Sequence, residues 1–129
     1  MKKIKHFNKR LGCFSELEVI EIEDNVYELV FSDPFDYRYN TGTIIKTRIN
    51  SDGFYEIIDF RKSNRVTYRF FAALDQNLKD LEIFIEEFHK HGGKFQVDFG
   101  GIISVTVPKD FPYDIDKVIK EFAIKVTKI

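Results

Sequence analysis

The chain has no tryptophan, a single cysteine, three prolines and no apolar run longer than a few residues, and each of these scarcities excludes something. One cysteine, Cys13, cannot form an internal disulfide, so the sequence does not read as a cross-linked secreted scaffold and fits a reducing compartment. Short apolar runs exclude a membrane-spanning helix. The basic stretch Met1-Lys2-Lys3-Ile4-Lys5-His6 leads into Asn8-Lys9-Arg10 rather than an apolar signal core, and the expected location is cytoplasmic.

Spacings that carry chemistry are missing as well. The only histidines are His6, His89 and His91, and two residues apart on a helix His89 and His91 point in different directions. Gly92-Gly93 and Gly100-Gly101 do not stand between a strand and a helix with a following Lys-Ser/Thr, so they read as caps and turns rather than a phosphate loop. Cys13 has no partner pattern for a nucleophile and reads as a small buried hydrophobe. Among the carboxylates Asp33, Asp36, Asp98, Asp110 and Asp114, spacing brings no two together as an acid/base pair. A nucleic-acid face would need aromatics interleaved with basic residues, and only Phe71 and Arg69 suit it. The expected protein is therefore not an enzyme, has no metal or cofactor, and binds neither nucleic acid nor membrane.

Phenylalanine is abundant, with 14 residues, which points to a core built on Phe. A length of 129 residues fits one domain (1–129) with a β-meander subregion over 1–62 and a βαββα subregion over 63–129. Charge is nearly balanced but unevenly placed. Residues 14–37 carry Glu16, Glu18, Glu21, Glu23, Asp24, Glu28, Asp33 and Asp36 without one Lys, Arg or His, and basic residues flank this block. Such a block repels phosphate and attracts cationic partners, unless its acids pair across strands with Lys46, Arg48, Arg61 and Lys62.

Alternation predicts strands over Leu17–Ile22 and Val26–Phe31 around the turn Glu23-Asp24-Asn25. Ser32-Asp33-Pro34 breaks the second strand, an aromatic loop Phe35–Asn40 follows, and strands over Thr43–Asn50 and Phe54–Arg61 flank Ser51-Asp52-Gly53. Beyond Asn64 come a strand Arg65–Phe71, a helix capped by Asp75 with Leu78, Leu81, Phe84, Ile85 and Phe88 on its stripe, a hairpin around Gly100-Gly101, and a helix from Asp114 or Asp116. Residues 123–129 are β-branched enough to end as a strand. Val66, Tyr68, Phe70, Phe95, Val97, Phe99, Ile103, Val105 and Val107 should form a dry sheet face under both helices, with Phe84, Phe88, Val97, Val105 and Phe122 buried. The expected fold class is α+β: a small curved antiparallel meander, then a βαββα split ferredoxin-like half with two helices on one sheet face.

Asp33-Pro34-Phe35, Gly42 before Thr43-Ile44-Ile45-Lys46, Val66-Thr67-Tyr68-Arg69-Phe70, His91-Gly92-Gly93 and Asp98-Phe99-Gly100-Gly101-Ile102-Ile103-Ser104-Val105-Thr106-Val107-Pro108 occur in an order that resembles a bacterial family, domain of unknown function 4265. The resemblance spans roughly residues 16–122. Family members often carry Gly-Asp where this chain has Gly42-Thr43. It implies architecture, a curved sheet followed by a split β-α-β half, and no activity.

The functional expectation is a protein-binding module, most concretely an immunity or antidote protein for a bacterial toxin, with a cationic toxin domain as partner. The expected contact surface is Glu16, Glu18, Glu21, Glu23, Asp24, Asp33 and Asp36 with Phe35, Tyr37, Arg38 and Tyr39. The alternative is an intracellular regulatory domain holding a small ligand in a partly apolar cavity.

Overall fold

A computed structural model describes residues 1–72, 78–99, 101–121 and 126–128, with side chains for all of these except 72, 78–81, 121 and 126–128. The chain divides into two compact units, Met1–Ser63 and Asn64–Ile129.

The first unit is a closed barrel of five strands in sequence order: β1 (Lys2–Asn8), β2 (Cys13–Glu23), β3 (Val26–Leu29), β4 (Ile44–Ile49) and β5 (Tyr55–Arg61). Neighbours pair antiparallel, and a single parallel pair, His6↔Tyr55, joins β1 to β5 and closes the ring. Register shifts at Ile22 of β2, between Glu21 and Glu23, and at Ile58 of β5, opposite Lys46 and Thr47, add the local bend and twist that such a tight ring requires. Inward positions carry Ile4, Leu17, Val19, Tyr27, Leu29, Tyr39 and Ile45, with Tyr55, Ile57 and Phe60 packed against them. Fully burying one such side chain contributes roughly 1.5–3 kcal/mol.

The second unit is a four-stranded antiparallel sheet in the order β7 (Lys94–Asp98), β8 (Ile102–Pro108), β6 (Arg65–Ala72), β9 (Val126–Lys128). Helix α1 (Leu78–Lys90) and helix α2 (Ile115–Glu121) supply Phe84, Phe88 and Ile115 to one cluster with Phe70, Ile103, Val105 and Val107. Helix α1 ends where Gly92 takes φ +78° and the amide of Gly93 donates to the Phe88 carbonyl at 2.7 Å, a left-handed glycine cap. A Cβ on Gly93 would lie 2.9 Å from that same carbonyl oxygen. Asp114 starts α2, its Oδ1 accepting from the amides of Asp116 and Lys117.

The expected α+β fold class requires correction. The chain is mostly β, with about half of the described residues in strands and two short helices, and its first part is a closed barrel rather than a curved meander followed by a ferredoxin-like half. The physical cause lies in β1 and the first residues of β2. Lys2–Asn8 has one apolar residue on its inward face, Ile4, which alternates in phase with buried His6 and Asn8, so the strand closes the barrel although that face turns polar. Smaller corrections concern the dry face. Val66, Val97 and Phe99 are exposed: Val66 lies near the start of β6, Val97 lies on the edge strand β7, and Phe99 falls in the turn at φ +53°, one residue beyond the strand. Phe84, Phe88 and Val105 are buried; Phe122, like the Asp75 cap, lies outside the described residues.

Candidate functional site

The aromatic loop between β3 and β4 is tied down by its own polar residues. Asp33 Oδ1 accepts from the amides of Phe35 and Asp36 at 2.9 and 3.2 Å, the turn a buried Asp forms ahead of Pro34. Ser32 Oγ accepts from the Thr41 amide at 2.9 Å, and the Asp33 amide donates to the Tyr39 carbonyl, closing the loop at its base. Gly42 leaves the loop at φ +87°, a backbone conformation that favours glycine, and a Cβ there would have to displace the Ser63 hydroxyl 2.6 Å away.

Asp36 is the centre of this network. Arg38 grips its carboxylate in a fork, Nε to Oδ1 at 2.9 Å and Nη2 to Oδ2 at 2.6 Å, and Asn8 Nδ2 of β1 donates to Oδ2 at 2.9 Å. Those bonds, Arg38 foremost, hold the buried carboxyl well below the usual carboxylate range despite burial acting the other way. Tyr39 is buried edge-on against His6 and Phe60, and burial raises its phenol. Burial likewise pushes the His6 imidazole down, against the pull of Asp33, Asp36 and Glu56. Its Nδ1 lies 3.3 Å from Ser15 Oγ.

Beside this network a half-open cleft of about 450 Å³ runs along the seam between β1 and β5. Its lining is His6, Asn8, Tyr39 and Glu56 as buried polar groups, Phe7, Ile57 and Ile58 as apolar wall, and the cations Lys9, Arg10, Arg38 and Arg48. One parallel pair closes the ring, so β1 and β5 have no further ladder to fill the space between their flanking side chains. Glu56 is the cleft's internal counter-ion: Lys9 Nζ lies 3.0 Å and Arg48 Nη2 3.4 Å from its Oε1, and Asn50 donates to Oε2 at 3.0 Å. The Asn50 and Lys9 bonds lower its pKa. Arg10 makes no ion pair with a described residue.

The sequence-expected contact surface does not form one patch. Asp33 and Asp36 are buried and serve the loop; Phe35 and Tyr37 are 56% and 48% exposed, while Tyr39 is 5% exposed and belongs to the core. Glu16 and Glu18 face Lys3 on β1 at 3.6 and 3.9 Å, so their cross-strand partner is Lys3, not Lys46, Arg48, Arg61 or Lys62, and Arg48 pairs instead with Glu56. Glu21, Glu23 and Asp24 are exposed, make no ion pair with a described residue, and sit at the β2–β3 turn. Strand directions put that turn at the end of the barrel opposite the Phe35–Tyr39 loop. Spacing gave no sign of the cleft residues Lys9, Arg10, Arg48 and Glu56, which lie on three separate segments. The available signal was polar His6 and Asn8 in phase with Ile4.

Cys13 is free and half-buried. In the second unit His89 is exposed, and His91 lies edge-on to Phe111 and Tyr113 with Nε2 4.0 Å from Glu87 Oε2. Among the described residues no three of His, Cys, Asp and Glu converge as metal ligands, and no helix is long and apolar enough to cross a membrane.

Fold and site together define a mostly β protein of two units with a cationic seam cleft in its barrel. Neither a family model nor a curated protein matches the chain. In structure it is similar to a hypothetical protein from Neisseria gonorrhoeae, with a TM-score of 0.64 and 20% identity over 98% of this chain and 89% of that one. At that identity the likeness shows the fold alone.

Proposed function

We propose that this chain is a non-enzymatic protein-binding module whose barrel docks a cationic partner along the end of β2 and the turn that follows it. The observation that carries this reading is the stretch Ile20–Glu23, exposed at four consecutive positions. Strand β1 pairs with β2 only as far as Lys2↔Val19, so from Ile20 onward one edge of β2 has no strand partner among the described residues. That edge carries two exposed isoleucines, Ile20 and Ile22, alternating with Glu21 and Glu23 and followed by Asp24. Open backbone groups, apolar anchors and acids without an ion pair to a described residue together suit a basic protein segment added as a strand, with the acids excluding acidic competitors. The most concrete form of such a module is an antidote that covers a cationic bacterial toxin domain.

The test is co-purification from the native host with the wild-type chain and with the double variant Glu21→Lys/Glu23→Lys. A basic protein recovered by the first and lost by the second is the expected result, with salt weakening the wild-type association. An acidic partner, or recovery indifferent to charge reversal, would sink the proposal. Growth protection on co-expression with the recovered partner tests the antidote form.

A further inference from the structure

We infer that the seam cleft of the barrel is a binding site for a small organic anion, one with a carboxylate or phosphate head on an apolar body. The lining presents four cations against the single carboxylate of Glu56, and with Asp36 behind Arg38 and Asp33 within reach of His6 and Tyr39 also counted, one positive charge remains in excess. These cations come from the β1–β2 turn, the β3–β4 loop and β4, three segments that only closure of the barrel brings round one opening. Like charges gathered round one opening repel one another, and an anion between them removes that cost.

The cleft also has what a specific site requires beyond charge. Its volume of about 450 Å³ falls in the range of small-molecule sites. Phe7, Ile57 and Ile58 offer an apolar wall, and the buried side chains of His6, Asn8 and Tyr39 give the floor fixed polar groups. The bidentate Asp36 grip pre-sets the Arg38 guanidinium, so little side-chain freedom remains to be lost on binding. Glu56 occupies Lys9 and Arg48 from within, and an arriving anion must share those cations with it. The carboxylate therefore sets the affinity from below: neutralising it should strengthen binding, the opposite of what loss of a contact residue does.

The experiment is an amide NMR titration of the full chain with phenyl phosphate, benzoate, inorganic phosphate and, as uncharged control, benzyl alcohol. Phenyl phosphate or benzoate should saturate, with shifts confined to Phe7–Arg10, Arg38–Tyr39 and Arg48–Ile58; the tighter of the two identifies the head group. Arg10→Ala should weaken binding about tenfold, the worth of one charge-assisted contact. Glu56→Gln should tighten it by several-fold. Arg10 makes no ion pair with a described residue, so its loss should leave the fold intact and keep the test open even if Glu56→Gln unfolds. Equal binding of benzyl alcohol, shifts that never saturate, inorganic phosphate alone binding as an adventitious ion, or affinity indifferent to Arg10→Ala would overturn the assignment. The Glu21→Lys/Glu23→Lys variant should titrate like wild type, so this site and the docking edge can fail separately.

Discussion

In the sheet unit, aromatic rings meet one another. Phe84 lies 4.6 Å from Phe88, Phe88 stacks on Phe111 at 5.4 Å with an interplanar angle of 6°, and Phe84 also meets Phe95. In the barrel unit the apolar interior of Val19, Leu29 and Ile45 gives way to His6, packed edge-on against Tyr39, and to Asn8, Asp33 and Asp36, which are held by charge-assisted bonds. The difference is one of tolerance. An apolar core accepts any shape-filling partner but provides no fixed charge, whereas a buried polar network is directional and ends in groups a ligand can use.

The comparison breaks first if the sheet unit does not depend on its rings. Phe88→Ala should cost about 3–5 kcal/mol, since it removes a side chain 1% exposed from the centre of its cluster. Urea unfolding followed by NMR of each unit measures it, and a loss below about 1 kcal/mol would mean that the cluster is not the stabilising core.

Asp36→Asn comes next, with an expected loss of about 2 kcal/mol in the barrel, because Arg38 and Asn8 keep their donors and lose their anionic acceptor. The effect depends on pH. The folded pKa of Asp36 lies below the ordinary value near about 3.9, so the stability it contributes is present above roughly pH 4 and is lost as pH falls through the folded value. Wild type and Asp36→Asn should therefore differ at pH 7 and converge in strong acid. A constant gap across that range would show that the substitution acts through shape rather than charge.

The smallest effect sharpens the comparison inside one loop. Tyr37→Ala should change stability by less than about 0.5 kcal/mol, because Tyr37 is exposed, although Tyr39 two residues later is core. A larger loss would place Tyr37 in the network that holds Asp36.

Much of the sheet unit was legible because its signals are local. Leu78 to Phe88 recurs at helical spacing, Gly92-Gly93 marks a stop, and Val66 to Phe70 alternates, and the strand and helix emerge with nearly those bounds. The hairpin around Gly100-Gly101 differs by one residue, since Asp98 pairs with Ile102 and leaves Phe99 in the turn. The barrel was legible only as separate strands. Strand β1 reads as a basic tail, as its alternation rests on one isoleucine among lysines, and without β1 the remaining strands describe an open sheet.

Turn positions and the apolar face of most strands follow from local signals, because glycine, Asn and Asp at turns and a two-residue side-chain period act over a few neighbours. Long-range contacts alone close the ring through His6↔Tyr55, turn Asp33 and Asp36 inward while Phe35 and Tyr37 stay outside, and gather Lys9, Arg10, Arg38 and Arg48 round one cleft. The reason is that a carboxylate or a guanidinium carries no sign of its burial in its own neighbourhood. Its place depends on whether a partner from a distant segment, Asn8 for Asp36 across 28 residues, arrives to offset the cost of leaving water.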